Sequence, residues 1–313
     1  MKVLILGHTG MLGHRLVSAL RIMGHDVYGA IRRQDIPEAL RGLRRWPICG
    51  VDATRPKTIE AVLDRTEPEA VVNCIGIVKQ LEAAKDPETC ISINALFPHQ
   101  LARLCADRGV RMVHFSTDCV FSGTHGPYSE ASLPDPNDLY GRSKLLGEVN
   151  QPNAITLRTS VIGHELGDGV GLVSWILRNR GCRVSGYARA LYSGVTTDFM
   201  ASAVSRILRD HPDLHGVWHL SSDPISKFEL VELINEIYDL DMEVDRDETF
   251  VCDRRLDSQP LRSRTGIVPP DWPTMLREMY SSYLVEERGY PPAAAKRVSP
   301  ESASLASVAG AAS

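Results

Sequence analysis

Short apolar runs alternate with amphipathic segments along the first half of the chain. Unbroken apolar runs, typical of strands covered on both faces, lie near residues 3–6, 26–30, 48–52, 70–74, 111–116 and 154–158. Apolar residues at helical spacing lie between them, near residues 11–23, 56–65, 88–108 and 138–150. This alternation predicts an α/β fold with a doubly wound parallel sheet and right-handed crossovers.

The alternation becomes less regular after Arg158. The glycine-rich segment 163–171 and residues 187–197 suggest the wall of a cleft rather than another β-α-β unit. Further elements are predicted near 172–180, 217–220, 227–238, 250–252 and 273–286. Residues 288–313 are rich in Ala, Ser and Pro without periodicity, which predicts a disordered tail.

Composition and charge narrow the class of protein. The 313 residues are 43% hydrophobic and 24% charged, as in an ordinary soluble globular protein, and are long enough for a proper core. A net charge of −4 without a basic stripe argues against a nucleic-acid partner. No apolar run reaches the ~20 residues of a membrane helix. We expect no signal peptide, because the first strand begins at the N-terminus, and we expect a cytoplasmic location.

The seven cysteines form no Cys-x-x-Cys pair and no paired Cys/His ligand set, so we expect no metal site. Several of them lie inside apolar runs, where buried free thiols are usual.

A glycine-rich turn follows the first predicted strand. Gly7, Gly10 and Gly13 are spaced Gly-x-x-Gly-x-x-Gly between that strand and a helix. Such glycines let the backbone turn tightly and approach a pyrophosphate, which rests on the amides of the helix N-terminus. Considered alone, this spacing is also compatible with an ordinary strand–helix turn.

A second group of residues lies beyond the predicted strand at 111–116. Thr117 ends that strand, and Tyr140 and Lys144 stand four residues apart in a predicted helix, so both side chains point the same way. A cation at that spacing stabilises the phenolate and lowers the tyrosine pKa from ~10. The alternative for such a Tyr/Lys pair, considered by itself, is a solvated helix face. The occurrence of the pair together with the glycine turn indicates a catalytic site.

These segments resemble the extended short-chain dehydrogenase/reductases, and within them the dTDP-4-dehydrorhamnose reductase family of nucleotide-sugar reductases. The resemblance covers about residues 1–285, and its most specific block is 115–148. It lies in segments 7–13, 115–123, 128–130, 136–148, 157–160, 216–220 and 256–258. It implies a Rossmann domain over 1–160 and a smaller C-terminal substrate lobe over 161–287, with segments that return to the Rossmann domain. A homodimer stays open.

The cofactor implied by the resemblance is a nicotinamide dinucleotide. Arg32 and Arg33 stand after the second strand, where an acidic residue would select NAD, and guanidinium groups bind a 2′-phosphate well. NADPH is therefore favoured, and NADH stays open because family members vary. Asn94 is either a site residue or a surface amide. The residues expected to bind the cofactor are Gly7, Thr9, Gly10, Met11, Leu12, Gly13, Arg32, Arg33, Asp52, Asn73, Cys74, Gly76 and Lys144.

The resemblance also implies roles in catalysis. Tyr140 would donate a proton to the oxygen of a 4-keto sugar, Lys144 would lower the phenol pKa and bind the nicotinamide ribose, and Thr117 would hydrogen-bond the same oxygen. Ser116 is a weaker substitute, because strand alternation turns it away from Thr117. The substrate is expected to contact residues among Lys79, Ser116, Thr117, Cys119, Val161, Tyr187 and Tyr192.

The sequence departs from this family at two positions. Val161 stands where the dTDP-rhamnose enzymes carry an aromatic residue that packs on the sugar. Cys119 stands where the related GDP-fucose synthases, which epimerise before reducing, carry a catalytic cysteine, and His164 is a candidate partner. Candidate pyrophosphate ligands are Lys79, Arg189, Arg254, Arg255 and Arg262.

One alternative function is not catalytic. The regulatory β-subunit of methionine adenosyltransferase resembles the same family and binds NADP, so the motifs by themselves leave a non-catalytic binder open.

Overall fold

The computed structural model describes residues 1–37, 40, 47–167 and 169–289. The predicted tail at 288–313 lies, from residue 290 onward, outside the described residues. In this part of the chain, no helix combines the length and the apolar character needed to cross a membrane.

The strands of the described residues lie in three sheets. Their bounds are β1 Lys2–Leu6, β2 Asp26–Ala30, β3 Ala70–Asn73, β4 Arg111–Thr117, β5 Ala154–Thr159, β6 Val161–Ile162, β7 Arg183–Tyr192, β8 Val195–Thr196, β9 Gly216–His219, β10 Ile225–Ser226 and β11 Glu243–Asp253.

The helices of the described residues surround the sheets. Their bounds are α1 Met11–Ile22, α2 Pro56–Thr66, α3 Pro87–Cys90, α4 Phe97–Ala106, α5 Leu139–Leu146, α6 Leu172–Arg178, α7 Thr197–Asp210, α8 Lys227–Tyr238, α9 Gln259–Thr265 and α10 Trp272–Gly289. A π-helical segment, Ile91–Leu96, joins α3 to α4.

The main sheet has the strand order β2-β1-β3-β4-β5-β9, and every neighbouring pair is parallel. The predicted α/β fold with a doubly wound parallel sheet is confirmed. Strand order reverses between β1 and β3, which makes the carboxyl ends of these two strands the switch point, where such sheets bind ligands. Since all six strands are parallel, the ends of β1, β3 and β4 lie along one edge.

Burial explains why these apolar runs form central strands. The side chains from Val3 to Leu6 and from Ala70 to Val72 are completely buried, as expected when helices cover both faces of a sheet. One apolar cluster lies on each side of the sheet, and the larger one continues into the C-terminal half of the chain. The core of the main sheet therefore extends into the segments after residue 160.

The C-terminal half returns to the main sheet at two places. Strand β9 pairs with β5, and α7 packs against α1. There Asp198 forms an ion pair with Arg15, with an Oδ1–Nη2 distance of 2.7 Å. A separate sheet, β10-β7-β11, lies beyond them.

One predicted strand is wrong. Of residues 48–52, only Ile48 forms a β-bridge, which is an isolated one with Ala30. Gly50 has a φ of +75°, which interrupts an extended backbone, so Asp52 does not end a strand as predicted. Helices α7 and α9 went unpredicted, although α7 has the apolar periodicity of an amphipathic helix.

Arg158 on β5 and Glu148 form an ion pair that is almost completely buried, with an Nε–Oε1 distance of 2.7 Å. The variant Arg158→Met leaves a buried carboxylate without its partner, so we expect it to lower the free energy of unfolding by about 3–5 kcal/mol. The double variant Arg158→Met/Glu148→Met removes both charges and should recover most of that loss. Urea denaturation of both variants tests this, and equal losses would contradict it.

Candidate active site

The glycine turn after β1 is built for close backbone approach. Gly7 has a φ of +86°, and a Cβ at Gly13 would collide with the Gly7 carbonyl oxygen. Gly10 is the N-cap of α1 and supplies no side-chain hydrogen bond to the first turn. The first N–H groups of α1 therefore remain for an anionic ligand.

The turn after β1 meets the loop after β3 at the switch point. A Cβ on Gly7 would lie 3.0 Å from the Cys74 carbonyl carbon and oxygen. Asn73 orders this loop, since its Oδ1 accepts from the Ile75 N–H at 3.1 Å and its Nδ2 lies 3.2 Å from His114 Nδ1. The structure therefore brings the predicted cofactor residues of both loops together.

Asn94 is buried rather than a surface amide. Its Oδ1 accepts from the Ile77 N–H at 2.8 Å, and its Nδ2 donates to the Ile77 carbonyl at 3.0 Å and to Ser143 Oγ at 3.1 Å. It lies in the π-helical segment Ile91–Leu96, and such segments are frequent at functional sites. Asn94 thus joins the loop after β3 to α5.

Two arginines, Arg32 and Arg33, follow the end of β2, and Asp52 lies in the loop before α2. Arg32 is exposed, and Arg33 pairs with Asp35 at 2.8 Å on the surface. Burial works to raise the pKa of Asp52, but hydrogen bonds from Thr54 and the positive charges of Arg55 and Arg32 hold it below its ordinary value. The charges of Arg32 and Asp52 therefore interact, and their predicted part in binding the cofactor stays a prediction.

Thr117 and Tyr140 meet at the carboxyl edge of the sheet. Thr117 is the last residue of β4, and its hydroxyl lies near enough to the Tyr140 phenol to oppose the rise in the pKa of Tyr140 that burial causes. Asp138 is the N-cap of α5 and accepts from the Gly141 N–H at 2.7 Å, which fixes the turn that carries Tyr140. Lys144, one turn later, is buried and donates to the Phe115 carbonyl at 2.6 Å.

The pKa values at this site follow burial. Burial, with the neighbouring Cys119 and Asp118, raises the pKa of Tyr140, and the hydrogen bond from Thr117 opposes this. Burial outweighs any lowering of the Tyr140 pKa by Lys144, whose ammonium points to the Phe115 carbonyl, and the predicted role of Lys144 stays a prediction. Burial lowers the pKa of Lys144 to about 8, against the opposing charges of Glu148 and Cys74.

Ser116 faces away from Thr117, as strand alternation predicts. Its Oγ donates to Glu148 Oε1 at 2.7 Å, within the buried pair of Glu148 with Arg158. The Ser116 hydroxyl is therefore engaged with the buried ion pair.

Three buried charges lie beside Thr117 and Tyr140. Sequence reasoning gave no role to Asp118 or Lys227, and it named Arg254 only as a candidate pyrophosphate ligand. Asp118, Lys227 and Arg254 are each less than a tenth exposed and interact with one another. Arg254 donates to the Phe121 carbonyl at 3.0 Å and lies 3.6 Å from Cys119 Sγ. Lys227 and Arg254 are far from Asp118 in sequence, so no local motif signals the cluster.

His8 was also missed. It lies within the glycine turn, is buried, and packs where a Cβ of Gly29 would otherwise stand. Burial, with the charges of Arg21 and His14, lowers its pKa to about 4, so it is neutral near pH 7.

Cys119 and His164, the candidate pair for epimerisation, each contact other residues. Burial and the adjacent Asp118 raise the pKa of Cys119 to about 12. His164 lies 2.9 Å from the Tyr238 hydroxyl and stacks on Tyr283 at 3.9 Å.

The other substrate candidates are mostly engaged in packing. Tyr187 packs against Phe250, and Tyr192 is buried beneath the Lys227 ammonium, 3.6 Å from the ring centroid. Val161, on β6, is half-buried. Lys79 pairs with Asp138 at 2.9 Å, which places it over the start of α5.

The remaining basic candidates differ in exposure. Arg255 pairs with Asp253 at 2.6 Å, and Arg262 donates to the Ser221 carbonyl at 2.9 Å. Arg189, on β7, is exposed. Among the residues placed by the structure, no group of three or more His, Cys, Asp or Glu could hold a metal ion.

The sheet order, the glycine turn at the switch point and the hydroxyl, phenol and ammonium at the same edge define a Rossmann-type α/β protein. The chain belongs to the family described as RmlD substrate binding domain, whose model matches residues 1–285. The predicted resemblance is therefore confirmed.

Two relatives and one solved structure illustrate the similarity. The chain is 34% identical over 185 residues to a probable low-salt glycan biosynthesis reductase, Agl14, of Haloferax volcanii, covering 56% of this chain and 59% of the relative. It is 26% identical over 231 residues to a dTDP-4-dehydrorhamnose reductase of Salmonella typhimurium, covering 70% and 72%. The first match therefore spans about three fifths of that relative.

A dTDP-4-dehydrorhamnose reductase from Bacillus anthracis, solved in complex with NADP, has the same fold. It superposes with a TM-score of 0.74 at 23% identity, covering 90% of this chain and 99% of that one.

The depressed pKa of Lys144 predicts how stability changes with pH. Between about 8 and 10.5, the unfolded chain holds a proton that the folded chain has lost, so this group makes stability rise with pH. In Lys144→Met that contribution is absent, and the stability difference should move in favour of the wild type by up to ~3 kcal/mol across this window.

Urea denaturation at several pH values measures the effect, with the exposed Lys85→Met as the matched control. A difference between wild type and Lys144→Met that is constant with pH would contradict the prediction.

Proposed function

We propose that this protein is an NADPH-dependent reductase that converts the 4-keto group of a nucleotide-linked 6-deoxy sugar to an alcohol. The observation that carries the proposal is the placement of Thr117 at the end of β4 beside α5, which carries Tyr140 and Lys144, at the sheet edge that also holds the glycine turn. The family membership and the relatives named above support the same reaction class.

The residues at the switch point fit a dinucleotide. The uncapped start of α1 and the close approach of Gly7 and Gly13 suit a pyrophosphate, and Arg32 and Arg33 suit a 2′-phosphate. The remaining contacts would come from Thr9, Gly10, Met11, Leu12, Asp52, Asn73, Cys74 and Gly76. When bound, NADPH supplies the hydride. NADH stays open as a weaker ligand.

The protein's own part of the reaction is proton transfer. Tyr140 donates its phenol proton to the substrate oxygen, and its raised pKa keeps that proton in place at neutral pH. Thr117, at the end of β4 beside the phenol, would donate a hydrogen bond to the same oxygen. Lys144 anchors α5 to β4 through Phe115 and would hydrogen-bond the nicotinamide ribose of a bound cofactor.

The division of the chain follows from this site. Residues 1–160 would form the cofactor domain, and 161–287 most of the substrate lobe, with β9 and α7 returning to the cofactor domain. Lys79 lies on the rim of the site, and Val161, Tyr187 and Tyr192 are the remaining sugar-side candidates.

Reduction without epimerisation is the reaction that this geometry favours. Epimerisation needs an ionisable acid/base pair beside the sugar carbon. The Cys119 thiol, with its raised pKa, and His164, which is bound to Tyr238, do not supply one.

Replacing Tyr140 tests the proposed acid. Tyr140→Phe keeps the ring and removes the proton, so kcat should fall ~10²–10⁴-fold while NADPH affinity stays unchanged. Thr117→Val should cost ~10²–10³-fold, because one hydrogen bond to the developing oxyanion is lost. The measurement is NADPH oxidation with freshly prepared 4-keto-6-deoxy nucleotide sugars, and Tyr280→Phe, in α10, is the matched control.

Full activity in Tyr140→Phe would refute the mechanism. Firm NADPH binding by the wild type without turnover of any nucleotide-linked ketose would favour the non-catalytic binder.

The two arginines after β2 test the cofactor. NADPH should bind more tightly than NADH, and Arg32→Ala/Arg33→Ala should reduce that preference at least ~10-fold, because charge-assisted contacts of ~1.5–3 kcal/mol are lost. Calorimetry with both nucleotides measures it, and Arg183→Ala, which removes an exposed arginine on β7, serves as the control. Equal affinities in the wild type would contradict the prediction.

A further inference from the structure

The hydrogen-bond chain behind Tyr140 continues beyond Thr117. Thr117 Oγ1 lies 3.2 Å from Asp118 Oδ1 and accepts from the Cys119 N–H at 3.1 Å. The Thr117 hydroxyl also lies beside the Tyr140 phenol, whose pKa it helps to lower, so one hydroxyl stands between the phenol and a buried carboxyl group. The chain therefore runs from Tyr140 through Thr117 to Asp118.

A count of hydrogens makes Asp118 important. The Thr117 hydroxyl has one hydrogen, and the Cys119 N–H already uses one of its lone pairs. When Asp118 is ionised, that hydrogen goes to Asp118, and Thr117 can only accept from Tyr140. When Asp118 is protonated, it donates to Thr117, and the Thr117 hydrogen is free for the substrate oxygen during the reaction and for the Tyr140 phenolate after it.

The surroundings of Asp118 make both forms accessible. Its carboxyl group is buried, which raises its pKa, while Arg254, Lys227 and hydrogen bonds from Thr117 and Cys119 oppose the shift. Other titratable groups near it are Tyr140, Tyr192 and Cys252.

Lys227 is positioned by the C-terminal half of the chain. It is the first residue of α8, whose N-cap Ser226 forms a reciprocal capping box with Glu229. Its ammonium lies over the Tyr192 ring and interacts with Asp118. A cation at this position stabilises the carboxylate that forms when Asp118 gives up a proton.

We propose that Asp118 is a positioning residue that returns a proton to Tyr140 through Thr117 after each turnover, with Lys227 stabilising the resulting carboxylate. The inference rests on the proposed reductase function. It assigns the acidic residue after Thr117 and a lysine of the C-terminal half to one proton path.

The proton balance closes over one cycle. The substrate carbon gains a hydride from the reduced nicotinamide, and the substrate oxygen gains the Tyr140 proton, which leaves a phenolate. The Thr117 proton moves to the phenolate as the Asp118 proton moves to the Thr117 oxygen. Asp118 becomes a carboxylate and recovers its proton from water, so one hydride and one proton are consumed.

The decisive variant is Asp118→Asn, which keeps the side chain's shape but cannot release a proton. The probe is dTDP-4-keto-6-deoxyglucose prepared fresh from dTDP-glucose. A first turnover uses the proton already on Tyr140, so we expect a burst of NADPH oxidation of one equivalent per site. The later steady-state kcat should be ~10²-fold lower than in the wild type, with KM and NADPH affinity unchanged.

The pH profile separates a relay from a merely structural role. In the wild type, kcat should fall as pH rises through the pKa of Asp118, because the carboxylate has no proton to return. Asp118→Asn should lose this limb, and Lys227→Met should move it to higher pH, since a charge that lowers the Asp118 pKa is gone. Asp64→Asn and Lys85→Met, both on the surface, are the matched controls.

A readout independent of turnover uses the protein without cofactor. Infrared difference spectra should contain the carbonyl-stretch band of a protonated buried carboxyl group, absent in Asp118→Asn and persisting to higher pH in Lys227→Met. If Asp118→Asn does not fold, Lys227→Met carries the test by itself.

An unchanged steady-state kcat and pH limb in Asp118→Asn, or an unmoved limb in Lys227→Met, would overturn the relay. Absence of even a first turnover in the wild type with any 4-keto-6-deoxy nucleotide sugar would instead overturn the reductase function.

Discussion

The hydrogen bond from the Lys144 ammonium to the Phe115 carbonyl is the interaction on which the site depends. Helix α5 has only eight residues, and so short a helix is not stable by itself in water. The bond fastens it to β4 two residues before Thr117. Gly141 and Gly147 permit the necessary contact, because a Cβ at either position would collide with the backbone of Cys119 or Asn94. Tyr140 is thereby held over the end of the strand.

Much of this architecture could be predicted from local sequence. The buried strands are unbroken apolar runs, and α8 extends from Lys227 to Tyr238 as its periodicity indicates. The Tyr140/Lys144 spacing likewise fixes both side chains on one helix. The strand predicted at residues 48–52 was wrong because Gly50 has a positive φ, which an apolar run does not reveal.

The missed parts depend on contacts between distant segments. In the sequence, Asp118 resembles an ordinary polar residue at the end of a strand. The structure shows that Lys227 and Arg254, from the C-terminal half, interact with it. The charge of Lys144 near Tyr140 could be inferred from their spacing, whereas the burial that raises the pKa of Tyr140 could not. Sequence spacing gives the first quantity and only the packed structure gives the second.

The return of β9 to the main sheet has a consequence for how the chain can be divided. A fragment ending near residue 160 would leave the edge of β5 without its neighbour and the face of α1 without α7. The ion pair between Arg15 and Asp198 would also be severed. The two halves are therefore interleaved rather than joined end to end, and one half cannot be exchanged for that of a relative by a single cut. New specificity has to be introduced by replacing loops at the rim while the shared sheet remains intact.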